Sequence, residues 1–264
     1  MNSVNNSGVV VMKKSQLAVQ LYTLRDFIKS PFDIAATFRK VREIGYEAIQ
    51  VSGMGPISEE ELVKIANDNG LVICATHENA RTICEDTDKV IERLKKLNCR
   101  YTAYPHPHNP FVSKRAVLEV AAQINKAAVA MEKEGITLCY HNHALEFEKF
   151  DGELILDTIY NNAPALQAEI DTFWIQAGGQ NPVEWIKRFP GRQPLLHLKE
   201  YGVIKNDRKM FSIGSGNLNW KEIIAAGSAC GVEYFIVEQD DCNGVDPFDE
   251  LRRSYNFIAE NFFD

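Results

Sequence analysis

Short apolar runs recur along the chain, each closed by a polar side chain and each followed by a segment whose apolar residues return every three to four positions. The first feature predicts strands and the second amphipathic helices. Strands are expected over Gln16–Tyr22, Tyr46–Val51, Leu71–Glu78, Arg100–Tyr104, Ile136–His143, Gln167–Asp171, Pro194–Lys199 and Tyr234–Val237. Helices are expected over Phe32–Gly45, from the Ser58/Glu61 capping pair to Gly70, over Thr87–Leu97 with Asn98 as the stop, and over Ser113–Gly135. Further helices follow over Leu154–Tyr160, Pro182–Phe189, Asn219–Gly231 and Asp246–Phe263. The stretch from Tyr201 to Trp220 contains Gly214-Ser215-Gly216 but no strand-to-helix turn around it, so it predicts a long rim loop and not a dinucleotide fingerprint.

Alternating strands and helices in this number suit a single-domain α/β fold, the (β/α)8 TIM barrel, over an open doubly wound sheet. Chemistry-bearing residues end many of the strands, and no phosphate-cradling glycine loop follows the first. Residues 15–264 form the expected barrel, and residues 1–14 an N-terminal leader or extra segment whose basic pair follows its apolar run. A secretory signal has the opposite order, so a cytoplasmic address is expected. The net charge of −7 argues against nucleic-acid or anionic-membrane partners. No apolar run approaches the roughly 20 residues that a spanning helix requires. The six cysteines show no metal-type pairing and are expected as buried free thiols.

Parallel strands joined by helices point the same way, so their C-terminal ends converge however distant they are in sequence. Asp171, His197 and Glu238 would then meet, and mixed oxygen and nitrogen donors suit one divalent ion, whether Mn, Zn, Co, Fe or Mg. On the fifth strand His141 and His143 share a face, and Glu146 lies just beyond. One of these three is expected to complete the site and the others to support it or move protons. Gln20 and Tyr22 alternate on the first strand, His77 ends the third, and Trp174 follows Asp171. These four are the expected substrate contacts. His106 and His108, set among prolines, are expected as wall or solvated residues.

Several segments together resemble the sugar phosphate isomerase/epimerase superfamily of xylose isomerase-like TIM barrels. They are Gln20–Arg25, Tyr140–His143 with Glu146-Phe147, Glu169–Trp174 with Gly178-Gly179, Gly191-Arg192 with Leu196–Lys199, and Gly214–Trp220. The resemblance implies one divalent cation held by a Glu, Asp, His, Glu set, of which Asp171, His197 and Glu238 match three. His141 stands where many ketose epimerases carry Glu, with Glu146 as the substitute if His141 does not bind. It further implies a metal-dependent isomerase or epimerase that abstracts a proton beside the carbonyl of a ketose or keto-sugar, the cation polarising that carbonyl. Glu238, His143, Glu146 and Lys199 are the expected catalytic groups. The histidine-rich fifth strand also resembles inosose dehydratase-like members, which makes a dehydratase or lyase the alternative. A non-catalytic sugar-binding barrel and an endonuclease are the remoter readings, the latter disfavoured by the acidic charge. The expected partner is a small sugar or keto-sugar, and a homo-oligomer is compatible with the sequence.

Overall fold

The computed structural model describes residues 12–264. Most of the expected leader therefore lies outside the described residues, while Met12 makes a parallel bridge to Phe263. In chain order the first half comprises β1 (Leu17–Gln20), α1 (Pro31–Ile44), β2 (Ala48–Val51), α2 (Glu59–Asp68), β3 (Val72–His77), α3 (Ala80–Glu85), α4 (Thr87–Lys96), β4 (Tyr101–Tyr104) and α5 (Lys114–Glu132). Next come β5 (Thr137–His141), a small hairpin of β6 (Lys149–Phe150) and β7 (Glu153–Leu154), α6 (Ile155–Asn162), β8 (Gln167–Asp171), α7 (Thr172–Ala177) and α8 (Pro182–Ile186). The chain closes with β9 (Leu195–Leu198), β10 (Glu200–Ile204), β11 (Asp207–Phe211), α9 (Trp220–Ala229), β12 (Tyr234–Val237) and α10 (Pro247–Phe262).

Eight of these strands, in the order β1-β12-β9-β8-β5-β4-β3-β2, close into a parallel barrel. Helices start and stop where local chemistry directs. Ser30 and Ser58 accept the N–H of Asp33 and Glu61 at the heads of α1 and α2. Gly45 ends α1 at φ 129°, and a Cβ there would lie 2.3 Å from a ring carbon of Tyr255. Asn98 takes a left-handed φ of 50° just after α4.

Along each barrel strand the outward positions, such as Leu17 and Val19, Leu138 and Tyr140, Leu196 and Leu198, join the main apolar core between barrel and helices. Each such side chain, fully buried, contributes about 1.5–3 kcal/mol. Inward positions form a separate, smaller cluster rich in Ala and Cys, including Ala18, Ala48, Ala75, Ala103 and Cys139. Two residues further along the strands, inward positions turn polar: Gln20, Gln50, His141 and Glu169. The alternation that builds the barrel thus sets a polar layer above an apolar plug, at the strand C-termini.

Two expectations change at the rim. The stretch expected as one loop from Tyr201 contains the antiparallel β10–β11 hairpin, paired from Glu200↔Phe211 to Ile204↔Asp207. Its turn is Lys205-Asn206, with Lys205 at φ 57°, and lacks the Asn-Gly or Asp-Gly dipeptide that marks such turns in sequence. Buried Glu200 then gathers the following loop, accepting from Gly214 N at 2.9 Å, Leu218 N at 3.1 Å and the Trp220 indole. The other change is that β1 ends at Gln20: Tyr22 sits in a 3₁₀ turn over Leu21–Phe27, and the Gln20 side chain accepts the Tyr22 N–H at its head. Gln20 and Tyr22 consequently do not share a strand face.

Candidate metal centre

The C-terminal ends of β5, β8, β9 and β12 bring His141, Asp171, His197 and Glu238 together, with one candidate ligand atom from each lying within 4.8 Å of the others. All four are buried. His197 Nδ1 lies 3.0 Å from Glu238 Oε2 and 3.8 Å from Asp171 Oδ2, and His141 Nε2 lies 4.0 Å from that same Asp171 oxygen. Asp171 Oδ1 accepts the Trp174 N–H at the head of α7, which turns Oδ2 toward the cluster with no hydrogen-bond partner of its own. Beside them the Lys199 ammonium stands 2.7 Å from Asp240, 3.1 Å from Glu238 and 3.7 Å from Asp171.

A second set of donors lies deeper. Glu169, two residues before Asp171 and on the same strand face, belongs with His77, His141 and His197 to another group of the same compactness. Its carboxylate is 2.7 Å from His77 Nε2 and accepts Gln50 Nε2 at 2.6 Å. Both Glu169 and Gln50 are fully buried, and the sequence reading assigned neither a role. Period-two alternation back from Asp171 and the inward end of β2 were the signals that could have found them. Asp240, two residues past Glu238, was likewise missed.

Charge is unevenly met here. Glu169, Asp171, Glu238 and Asp240 gather around one ammonium and a group of imidazoles. Burial pushes Asp171 up to about 7, with Glu238 adding to the effect against Lys199 and His197. Burial works against the His197 cation too, yet Glu169 and Glu238 outweigh it and hold that ring at about 10. Glu238 is buried as well, but Lys199 and His197 keep it well below the usual carboxylate range. Burial and the neighbouring His197 lower His141 to about 3, and burial lowers His143 to about 2. Without a cation the cluster holds protons where ligand lone pairs would otherwise be used. An orphaned carboxylate oxygen facing two imidazoles amid surplus negative charge fits a divalent cation.

Over this cluster opens a cavity of about 450 Å³, lined among others by Tyr22, His77, His106, His143, Lys199 and Glu238. His143 lies past the end of β5, correcting the expected strand end, but its ring still faces inward, 4.9 Å from that of His141 and 5.2 Å from Trp174. Trp174 lies beneath the Lys199 ammonium, 5.3 Å from ring centre to Nζ, and is not part of the cavity lining. Gln20 is fully buried below the cavity and donates to Gln50. Glu146 lies outside both donor groups and the lining: it accepts the Tyr140 hydroxyl at 2.9 Å and the His143 N–H at 2.7 Å. His108 accepts or donates to Tyr104 at 2.6 Å at the outer wall.

With fold and cluster defined, comparison with known proteins places the chain. It belongs to the xylose isomerase-like TIM barrel family, which it matches over residues 38–260. A sugar phosphate isomerase/epimerase from Parabacteroides distasonis ATCC 8503 superposes with a TM-score of 0.79 at 21% identity, covering 97% of each chain. A second protein of that description from the same organism gives 0.77 at 25% identity, covering 92% of this chain and 97% of its own. The probable 3-DHS dehydratase AsbF from Bacillus anthracis gives 0.71 at 15% identity, covering 94% and 99%. No curated protein matches the chain in sequence. Structural neighbours in this family therefore include isomerase/epimerase and dehydratase proteins. Among the described residues no helix is long and apolar enough to cross a membrane.

Proposed function

We propose that this protein is a divalent-cation-dependent sugar isomerase or epimerase that moves a proton at the carbon beside the carbonyl of a ketose or keto-sugar. The observation that carries this reading is the orphaned Asp171 Oδ2, aimed at two imidazoles in a four-residue donor group at the strand ends. His141, Asp171, His197 and Glu238 would hold the cation, which when bound supplies Lewis-acid polarisation of the carbonyl. Glu238, ionised and lining the cavity, removes the proton and returns it to another face or carbon. Lys199 remains protonated beside it and favours the negative charge that develops on the carbonyl oxygen. Tyr22, His77 and His143 form walls for the sugar, and Trp174 packs against His143. Glu146 holds the His143 N–H and so sets the loop after β5. Among the described residues the cavity lining contains no arginine, and its one lysine is already committed to carboxylates, which favours an unphosphorylated sugar.

One observation supports β-elimination as the second reading. His143 lines the cavity as an imidazole with its Nδ1 unpartnered. After Glu238 takes the carbon-bound proton, the C–O bond one carbon further on breaks, and the proton held by Glu238 passes to the departing oxygen, with neutral His143 as the relay, so that it leaves as water. A single experiment tests both readings. Protein supplied with Mn, Co or Mg is incubated in D2O with a panel of ketoses, keto-inositols and 3-keto-sugars. Deuterium at the carbon next to the carbonyl, lost in Glu238→Gln, is expected, and loss of water from the product identifies the elimination. No exchange and no product across the panel, with sugar bound equally by both proteins, would mark a binding barrel instead.

A further inference from the structure

The two donor groups share His141 and His197 but use opposite edges of the rings. His141 turns Nε2 toward Asp171 and Nδ1 toward Glu169 Oε2, 3.4 Å away. His197 turns Nδ1 toward Glu238 and Asp171, while Nε2 lies 2.7 Å from Gln50 Oε1 and 3.3 Å from Glu169 Oε1. A neutral imidazole has one lone pair, so the proton on each ring decides which carboxylate layer can share a cation with it.

The buried amides settle where those protons go. Gln50 directs Nε2 to Glu169 Oε1 at 2.6 Å, because its carbonyl oxygen there would face a carboxylate. Gln50 Oε1 is thereby left to accept, from Gln20 Nε2 at 2.8 Å and from His197 Nε2 at 2.7 Å. The other Gln20 amide hydrogen points to His77 Nδ1 at 3.4 Å, which leaves His77 Nε2 to donate to Glu169 Oε2 at 2.7 Å. His141 Nδ1 makes no hydrogen bond and lies 3.4 Å from Glu169 Oε2, whose negative charge favours a proton on that nitrogen. With both rings neutral, as a cation requires, the nitrogens facing Glu169 and Gln50 keep the protons, which leaves the lone pairs of His141 Nε2 and His197 Nδ1 toward Asp171 and Glu238.

We propose that Glu169 is a positioning residue that fixes the tautomers of both histidine ligands, through Gln50 for His197 and by its nearby charge for His141, and so assigns the cation to the Asp171/Glu238 layer. The inference rests on the reading above that this upper group binds a divalent ion. One deep carboxylate serves both rings, which gives the chain a reason to keep a buried charge two residues below its aspartate ligand.

The test is long-range 1H–15N NMR of the imidazole nitrogens in the zinc-loaded protein, with zinc and manganese affinities measured by calorimetry for the wild type, Glu169→Gln and Asp171→Asn. His197 should be metal-bound through Nδ1 with its proton on Nε2, and His141 bound through Nε2 with its proton on Nδ1. Glu169→Gln should still bind one ion, about 10- to 100-fold more weakly. Asp171→Asn should bind far more weakly than either. Failure of the wild type to bind, or equal binding by Asp171→Asn, would overturn the cation reading itself. Binding that needs Asp171 but keeps its affinity and nitrogen pattern in Glu169→Gln would overturn only the positioning role. His197 bound through Nε2 would place the ion on the deeper layer and overturn the inference, and the wild-type spectrum alone decides this should Glu169→Gln not fold.

Discussion

The two ends of the barrel each enclose polar atoms, and they differ in how those atoms are met. At the N-terminal end Gln193 is 1% exposed with neither amide atom bonded, in a cavity of about 160 Å³ shared with Tyr101 and Gln167. At the C-terminal end the unpartnered atoms include a carboxylate oxygen of Asp171, set among three further carboxylates, one ammonium and the His197 ring. A neutral amide asks only for a hydrogen bond, which a water molecule can supply. A surplus of buried negative charge asks for positive charge, and protons or a metal ion are the small species that can provide it. The contrast separates a packing feature from a candidate centre of chemistry on one barrel.

The strongest way to break this contrast is kinetic. Glu238→Gln should lower solvent-deuterium exchange by about 10²–10⁴-fold, the range for loss of a positioned base, whereas Gln193→Leu at the opposite end should leave it unchanged. NMR detection of label at the carbon beside the carbonyl would measure both, and equal loss in the two variants would show that exchange follows stability and not the site.

Cation binding gives the next largest effect. A ligand present at a thousand times its Kd stabilises the fold by about 4 kcal/mol, so Tm should rise by about 10 °C on adding Mn or Co to chelator-treated protein. Asp171→Asn should abolish the rise and Gln193→Leu should not. A rise that survives Asp171→Asn would move the ion elsewhere.

Glu146 sharpens the comparison because it is another fully buried carboxyl, yet it is met by neutral donors, the Tyr140 hydroxyl and the His143 N–H. Burial raises it to about 7, outweighing those hydrogen bonds. Below about pH 4.5 the group is protonated in both folded and unfolded chains, and its stabilising contribution is complete. As pH rises toward 7 the unfolded chain releases the proton first, so the contribution is lost, by ~3 kcal/mol at most. Tyr140, whose own hydroxyl is pushed well up by burial and by Glu146, stays neutral throughout. Glu146→Gln should flatten this decline in urea-unfolding free energies measured between pH 4.5 and 8. An unchanged slope would mean that Glu146 is ionised in the folded chain.

Much of this organisation was legible from alternation alone. Strands β8 and β12 match the expected bounds residue for residue, β8 through its polar–apolar alternation and β12 through the Glu233 and Glu238 that enclose its apolar run. The convergence of His141, Asp171, His197 and Glu238 follows from strand direction, which sequence periodicity carries. What could not be read was depth. Gln50 and Glu169 look like ordinary polar strand residues until barrel closure sets their side chains 2.6 Å apart across 119 positions of chain. The β10–β11 hairpin was hidden because Gly202 and the charged run Asp207-Arg208-Lys209 blur its alternation. Tyr22 was placed on a strand because nothing in Gln20-Leu21-Tyr22 announces that Gln20 turns its side chain back to cap the next turn.

The smallest effect falls at the N-terminal end. Replacing Gln193 by Leu keeps the side-chain bulk and removes two polar atoms that have no protein partner, so the desolvation cost of burying them disappears along with any bond to water. The two changes nearly offset each other, and unfolding free energy should move by no more than about 1 kcal/mol, in either direction. Chemical denaturation measures the change, and the cation-induced rise in Tm serves as the internal control. A loss of several kcal/mol would show that Gln193 is held by a specific bound partner. The N-terminal end would then resemble the C-terminal end in needing something from outside the chain.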